Sequence, residues 1–559
     1  MTITVEKIRE NVIGEGMLFD TVFGKKPLVY ADYTASGRSL TFVEQAINQQ
    51  VLPFYANTHS ETSFTGKQST QFREQARAVI HSALNTAKKH QVIFTGSGAT
   101  AAINKLIDML NLRLPAELND LHKFEAQISE QQKPVVFIGP YEHHSNELPW
   151  RESIATLVAI PLTSDGQIDI DYLEVQLQKY QHRYRLIGSF SAASNVTGIK
   201  TDVRKVSAML KKYAAMSCWD YAAAAPYVAI DMQNDQLDAV FISTHKFIGG
   251  PGTPGILVVN SELISNSVPA APGGGTVLYV SPESHTFIEN IERREEGGTP
   301  GIVECIRAGL VFNIQQQIGT QTIEKLEHSY IQRAIDRLSA LPNFEVLGSV
   351  SAQRLSILSF NIRHQESVLH YGFVVALLND VFGIQARGGC SCAGPYGHQL
   401  LDLSMEKSSA LENQLHQGNM VLRPGWTRLN FNYFIDENTF EYLLAALALI
   451  AEHGWRLLAC YQFNQNSGTW EYAAGAKVTT SSLNDLLAEP QIEVVPSVAT
   501  DALAGYLAAG EDILLSTKAD MDAQPLNLSA AAEELRWFVL VCAGLVAGYK
   551  TLVQSLKQV

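Results

Sequence analysis

Cysteine is scarce in this chain. Six thiols in 559 residues do not make a disulfide framework, which needs cysteines dense in a short chain. Basic residues are in deficit as well: 42 Lys and Arg face 56 Asp and Glu, a formal net charge of −14. That balance argues against non-specific nucleic-acid binding and for a soluble protein. The opening MTITVEKIREN has no apolar core, so neither secretion nor membrane insertion is expected, and the expected location is cytoplasmic. The longest apolar run, Trp537 to Tyr549, falls short of the roughly 20 residues that span a bilayer; it reads as a packing helix. No internal repeat and no low-complexity segment is visible. No Cys, His and carboxylate set has metal-ligand spacing. The adjacent His143 and His144 have no partners in sequence, so no metal is expected.

What is present is a chain long enough for two or three domains. The apolar runs PVVFIG, LIGSF, MSCW, AVFIS and GILVV alternate with helical stretches. Runs of that kind predict an α/β fold: a mostly parallel sheet, buried on both faces, with helices on each side.

The segment AVFISTHKFIGGPGTPGILVVN, Ala239 to Asn260, organises the rest. A buried strand leads to Ser243, Thr244, His245 and Lys246, then to a glycine-proline loop that lets backbone approach a ligand. A lysine there reads in two ways. It caps a strand end, or it is an amine held against apolar walls, able to lose its proton and form a Schiff base with a carbonyl. A second local device is QVIFTGSGATAAINKLIDML. Here a strand, a Gly-Ser-Gly turn and a helix aim the free N–H groups of Ser97, Gly98, Ala99 and Thr100 outward. With the helix dipole they form a phosphate cradle.

These segments, with several others in the same order, resemble the class V, fold-type-I pyridoxal phosphate (PLP) enzymes, the superfamily of the cysteine desulfurases. The resemblance runs from about Tyr30 to Tyr433. It implies that Lys246 binds PLP as a Schiff base and that Ser97 to Thr100, Ser243 and His245 hold its phosphate. In EHHSNELPW it implies that His143 stacks on the ring and moves protons. Asn195 would bond the phenolic oxygen, and Asp220 would keep the ring nitrogen protonated. The turn of LVYADYTASGRSL, with Asp32 and Ala35, would border the substrate pocket, and His59 is the histidine candidate of a pocket-lining loop. Arg428 in GWTRLNFNYF would grip an amino acid's α-carboxylate by a two-pronged bond, with Arg423 as a nearby competitor. Gly275, Thr276 and Thr299 would lie at the mouth of the site, Thr299 reaching the phosphate of a second subunit, which implies a homodimer. One departure stands out: Ala223 occupies a position where many desulfurases have glutamine.

RGGCSCAGPYGHQLL resembles the desulfurase cysteine loop and, more closely, that of the amino-terminal domain of molybdenum cofactor sulfurases. The resemblance implies that Cys392 attacks the sulfur of L-cysteine, giving alanine and a persulfide passed on to an acceptor protein. A buried thiol, or a metal-binding pair with Cys390, are the other readings of the same residues. Other PLP reactions (C–S lyase, epimerase or transaminase) and a non-catalytic scaffold remain alternatives. The expected division is a large PLP-binding domain at 20–313, a small α+β domain from 1–19 and 314–455, and a helical extension at 456–559.

Overall fold

The computed structural model describes residues 2–58, 60–474, 482–487, 496–516, 526 and 528–540; His59 lies outside them. The apolar runs assemble into one seven-stranded sheet. Its order is His90–Thr95, Gly255–Asn260, Ala239–Ser243, Met216–Asp220, Leu186–Ser191, Val135–Ile138, Thr156–Ala159. The strands from Ala239–Ser243 onward are parallel. Gly255–Asn260 runs antiparallel to both of its neighbours. Successive side chains point to opposite faces. Val240 and Ile242 therefore join one apolar cluster, and Ala239 and Phe241 join another. Helix Gly98–Met109 covers the second face with Ile103, Leu106 and Ile107. Helices Val203–Lys212 and Ile302–Ile318 cover the first. A sheet covered on both sides has no face left for polar residues, which is why these strands read as unbroken apolar runs.

A smaller antiparallel sheet has the order Phe344–Val346, Ile357–His364, Trp426–Asn430, Arg387–Gly389. Helices Tyr371–Phe382 and Glu437–His453 pack on it in a separate core. Helix Tyr371–Phe382 ends at Gly383, whose φ is +72°; a Cβ there would sit 2.0 Å from Pro27 O. Only glycine fits that stop. Glu437–Cys460 is long and apolar enough to cross a membrane, the one such helix among the described residues. Its Phe440, Leu443, Leu447 and Ile450 form part of the smaller unit's core.

Helix Val5–Asn11 buries Ile8, and Val12 follows it, in a core cluster that also takes in Trp426 and Phe434. Their i,i+4 spacing makes one apolar stripe. One segment differs from the sequence expectation. The apolar run beginning at Trp537 is not helical over 537–540. It lies extended, with Phe538 bridged parallel to Val368 and Val539 N–H donating to Val368 O at 2.9 Å. The short strand Ser367–Val368 offers free edge groups, and the tail satisfies them. The remainder of that run lies outside the described residues. The extension also contains the hairpin Tyr461–Asn464/Thr469–Tyr472 and helices Leu503–Ser516 and Ala530–Glu534. Trp470, Leu503, Leu514 and Phe538 share the smaller unit's core.

Candidate active site

The parallel strands end together, and side chains just past their carboxyl ends converge there, as open α/β sheets arrange them. A cavity of about 270 Å³ results. Its lining brings together Ala35, Ser97, Gly98, Ala99, Thr100, His143, Asn195, Asp220, Ser243, His245, Lys246, Cys392 and Arg428. Asp32 stands behind this wall, tied to its arginines.

Lys246 closes the short 3-10 turn Thr244–Lys246 after strand Ala239–Ser243. Burial pulls its ammonium down to about 8; Asp220 and Asp32 oppose that shift, and Arg428 and Arg387 add to it. The amine is thus far easier to deprotonate than a surface lysine. Asp220 ends strand Met216–Asp220 and is buried. Burial pushes its carboxyl up, against the Ala222 N–H bond (2.8 Å) and the charge of Lys246.

Helix Gly98–Met109 points its amino end into the cavity without a side-chain cap of its own. The Ala99 N–H donates to Ser243 Oγ at 2.9 Å. Gly98 has φ +57°, and a Cβ there would lie 2.8 Å from Ser243 Oγ and 2.9 Å from His245 Cε1. The cradle is therefore tight and sits at a helix amino end, where the dipole favours an anion; the Gly98 N–H itself turns back to Gly96 O at 3.0 Å.

His143 sits after strand Val135–Ile138, on a turn fixed by Glu142. The buried Glu142 carboxyl accepts from Ser191 N (2.9 Å), Ser191 Oγ (2.6 Å) and Asn146 Nδ2 (2.6 Å). Burial raises it to about 7 despite those bonds. His143 Nδ1 accepts the Ser145 N–H at 3.1 Å, which places the ring proton on Nε2. Burial, then Lys246, hold the imidazole down at about 3, so it is neutral.

Arg428 is buried on strand Trp426–Asn430, directly opposite Arg387 on the neighbouring strand. Its Nη1 donates to Asn195 O at 2.8 Å and its Nη2 to Asp32 Oδ1 at 3.2 Å. Arg387 Nε holds the other Asp32 oxygen at 2.9 Å. The Nε of Arg428 is buried without a partner, as is Asn195 Oδ1. Ser391 Oγ, on the same lining, is a third; orphaned polar atoms gathered at one cavity mark it as built for a polar ligand.

Cys392 follows strand Arg387–Gly389. Ser391 and Cys392 both adopt left-handed backbone, φ +51° and +55°, a conformation costing L-residues on the order of 1 kcal/mol or more each. Three bonds from the large unit hold the turn. His144 N–H donates to Cys392 O (2.8 Å), Gly394 N–H donates to His144 Nε2 (3.0 Å), and Asn195 Nδ2 donates to Ser391 O (2.8 Å). Cys392 is exposed and Cys390 half-buried, whereas Cys218, Cys305 and Cys460 are buried.

The model of the family described as aminotransferase class-V matches residues 29–409. The chain belongs to that family. Within it the chain is cysteine desulfurase-like. It is 30% identical over 382 residues to a probable cysteine desulfurase of Halalkalibacterium halodurans, covering 68% of this chain and 87% of that one. A probable cysteine desulfurase of Staphylococcus aureus is 27% identical over 389 residues, covering 69% and 87%. Two solved structures share the fold at 22% identity and a TM-score of 0.62. One is a cysteine desulfurase from Thermococcus onnurineus, covering 76% of this chain and 95% of that one. The other is from Escherichia coli, covering 80% and 98%.

Some candidates stand outside the cavity. Thr299 is exposed and accepts from Asn57 Nδ2 at 3.3 Å. Thr276 is buried with its Oγ on Gly273 O. Arg423 is exposed and away from the cavity lining, to which Arg428 and Arg387 both contribute. Ala223 adds only a buried methyl to the wall. Sequence reasoning missed the clamp made by His144 and the Arg387–Asp32 pair. Both join residues hundreds of positions apart, and no local pattern signals them.

Proposed function

We propose that this chain is a PLP-dependent desulfurase that converts L-cysteine to alanine and keeps the sulfur as a persulfide on Cys392. One observation carries the reading: the exposed Cys392 and the buried Arg428 face Lys246 across a single cavity. The residues fit the cofactor. Gly98 leaves a cradle that a Cβ would fill, Asp220 is a buried carboxylate, and Asn195 Oδ1 lacks a partner. Lys246 would hold PLP covalently, the turn at Ser97–Thr100 with Ser243 and His245 its phosphate, and Asp220 its ring nitrogen.

When bound, PLP supplies an electron sink for the substrate's α-carbon. The chain's own groups do the rest. Arg428 fixes the α-carboxylate. Lys246 Nζ, kept near neutrality by burial, takes and returns the α-proton. His143 contributes a neutral ring with its proton on Nε2. Cys392 Sγ attacks the substrate sulfur; the S–S bond forms, the substrate Cβ–S bond breaks, and that electron pair stays on carbon until a proton gives alanine. The sum is cysteine plus thiol to alanine plus persulfide.

The working unit in this reading is a homodimer with Thr299 serving the neighbouring site. The exposure of Thr299 and of Leu278, Tyr279 and Val280 on a nearby hairpin supports it. A sulfur-acceptor protein would then unload Cys392. The test is product analysis of PLP-loaded protein with L-cysteine. Alanine with a persulfide on Cys392, lost in Cys392→Ala, is expected. Pyruvate and ammonia would assign a lyase reaction instead.

A further inference from the structure

The family match ends at residue 409, yet two tryptophans from beyond residue 456 reach the base of the strand that carries the cysteines. Trp470 Nε1–H donates to His370 Nδ1 at 3.0 Å. Trp537 stacks on His370 (5.3 Å between centroids, 26°) and on Tyr371 (5.9 Å, 16°). Trp537 is itself fixed. Its Nε1–H donates to Leu422 O at 3.0 Å, and its carbonyl accepts Ser367 Oγ at 2.9 Å. His370 is buried and bonded through Nε2 to Val421 O at 3.1 Å. Tyr371 then lies against Gly388, on the strand that leads to the cysteines, and against Gly425, just before the neighbouring strand. A Cβ on Gly388 would meet Tyr371 Cδ2 at 2.7 Å; one on Gly425 would meet Tyr371 Cε1 at 2.7 Å and Gly389 Cα at 2.7 Å. The stack thus runs from Trp537 to Tyr371, Tyr371 lies against Gly388 and Gly425, and Gly425 lies against Gly389, the residue before Cys390.

We propose that the C-terminal extension is an intrachain strap whose Trp537, acting through Tyr371, sets the position of the strand that presents Cys392. The proposal rests on reading Cys392 as the sulfur-accepting thiol. The loop it supports is strained at Ser391 and Cys392 and held on the cavity side by His144 and Asn195. A strained loop keeps its geometry only when it is restrained from both sides. On the side away from the cavity, that restraint is the Tyr371 ring backed by Trp537. Trp537 is thus a positioning residue, and interior packing transmits a small displacement rather than absorbing it.

The experiment compares the full-length chain with Trp537→Ala, Trp537→Phe and Tyr371→Leu. It reads persulfide on Cys392, PLP binding, thermal stability, and the rate at which iodoacetamide alkylates Cys392 with and without PLP. Trp537→Ala is expected to bind PLP normally, to alter the alkylation rate, and to lose about tenfold to a hundredfold in persulfide formation, as an ångström-scale misplacement does. Trp537→Phe keeps the stack and restores most of it. If Trp537→Ala does not fold, Tyr371→Leu supplies the same readouts. Unchanged alkylation and persulfide rates beside a lowered melting temperature would overturn the strap and leave Trp537 a filler of the core. Absence of persulfide in the unsubstituted chain would refute the desulfurase reading, and the alkylation rates would still decide the strap.

Discussion

Arg428 is bonded to Asp32 through Nη2 at 3.2 Å while its Nε is buried without a partner. The guanidinium is held in orientation by one carboxylate and retains a free donor for another. Arg428→Lys removes that geometry. The KM for an amino-acid substrate should rise roughly ten- to a hundredfold, the loss of a charge-assisted hydrogen bond of about 1.5–3 kcal/mol. PLP absorbance should remain, since the arginine is assigned to the substrate. Steady-state kinetics beside a cofactor titration check this.

Gly98→Ala tests the phosphate cradle. The new Cβ would sit 2.8 Å from Ser243 Oγ at a residue with φ +57°. Strain on the order of 1 kcal/mol is expected, together with a PLP Kd raised about tenfold or more through the filled cradle. Titrating apo-protein with PLP gives the number. A Kd equal to that of the unsubstituted chain would remove the turn from the site.

The pH dependence of PLP capture follows from Lys246. Only the neutral amine attacks the aldehyde, and burial lowers this ammonium from 10.5 to about 8. The capture rate should climb with pH and level off just above about 8. A lysine with an ordinary pKa would keep climbing past pH 10. Stopped-flow absorbance separates the two.

His370 makes the fold acid-sensitive. Burial lowers its pKa from 6.5 to about 3. Below pH 6.5 the unfolded chain takes up a proton that the native site refuses, so stability falls as pH falls toward 3. The slope is about 1.4 kcal/mol per pH unit from this one group. His370→Gln removes the titration. The stability gap between the two proteins should therefore shift in favour of the variant as pH is lowered from 7 to 5, as thermal or urea melts will show.

His144→Ala withdraws the acceptor of the Gly394 N–H and leaves the cysteine turn held by fewer bonds. Persulfide formation should drop about tenfold with PLP binding intact. His144→Gln, which can still accept that bond, should recover part of the rate.

The parts of the site that the sequence disclosed are those that one stretch of chain builds alone. Lys246 after an apolar strand, and Gly98 at a strand-to-helix turn, are local geometry, and local geometry leaves a residue pattern. Gly383 as a helix stop is legible for the same reason. Asp32 meets Arg387 and Arg428 only because a turn near the start of the chain comes to rest against two strands of the smaller sheet. His144 reads in sequence as half of a metal-like pair and turns out to brace a loop 250 residues away. Residues 537–540, the start of the Trp537 run, depart from a helix for a different reason. Apolar residues suit a buried helix and an extended edge segment equally, and an available sheet edge holds these four extended.

The antiparallel strand Gly255–Asn260 also bears on the order in which the site is assembled. It pairs with Ala239–Ser243, the strand just before it in the chain, so Lys246 lies in the loop of a hairpin. Such a loop closes at little entropic cost and early. Arg428 must cross 396 residues of sequence to meet Asp32. A nascent chain can thus form the wall that holds the lysine before Arg428, on the opposite wall, has been synthesised.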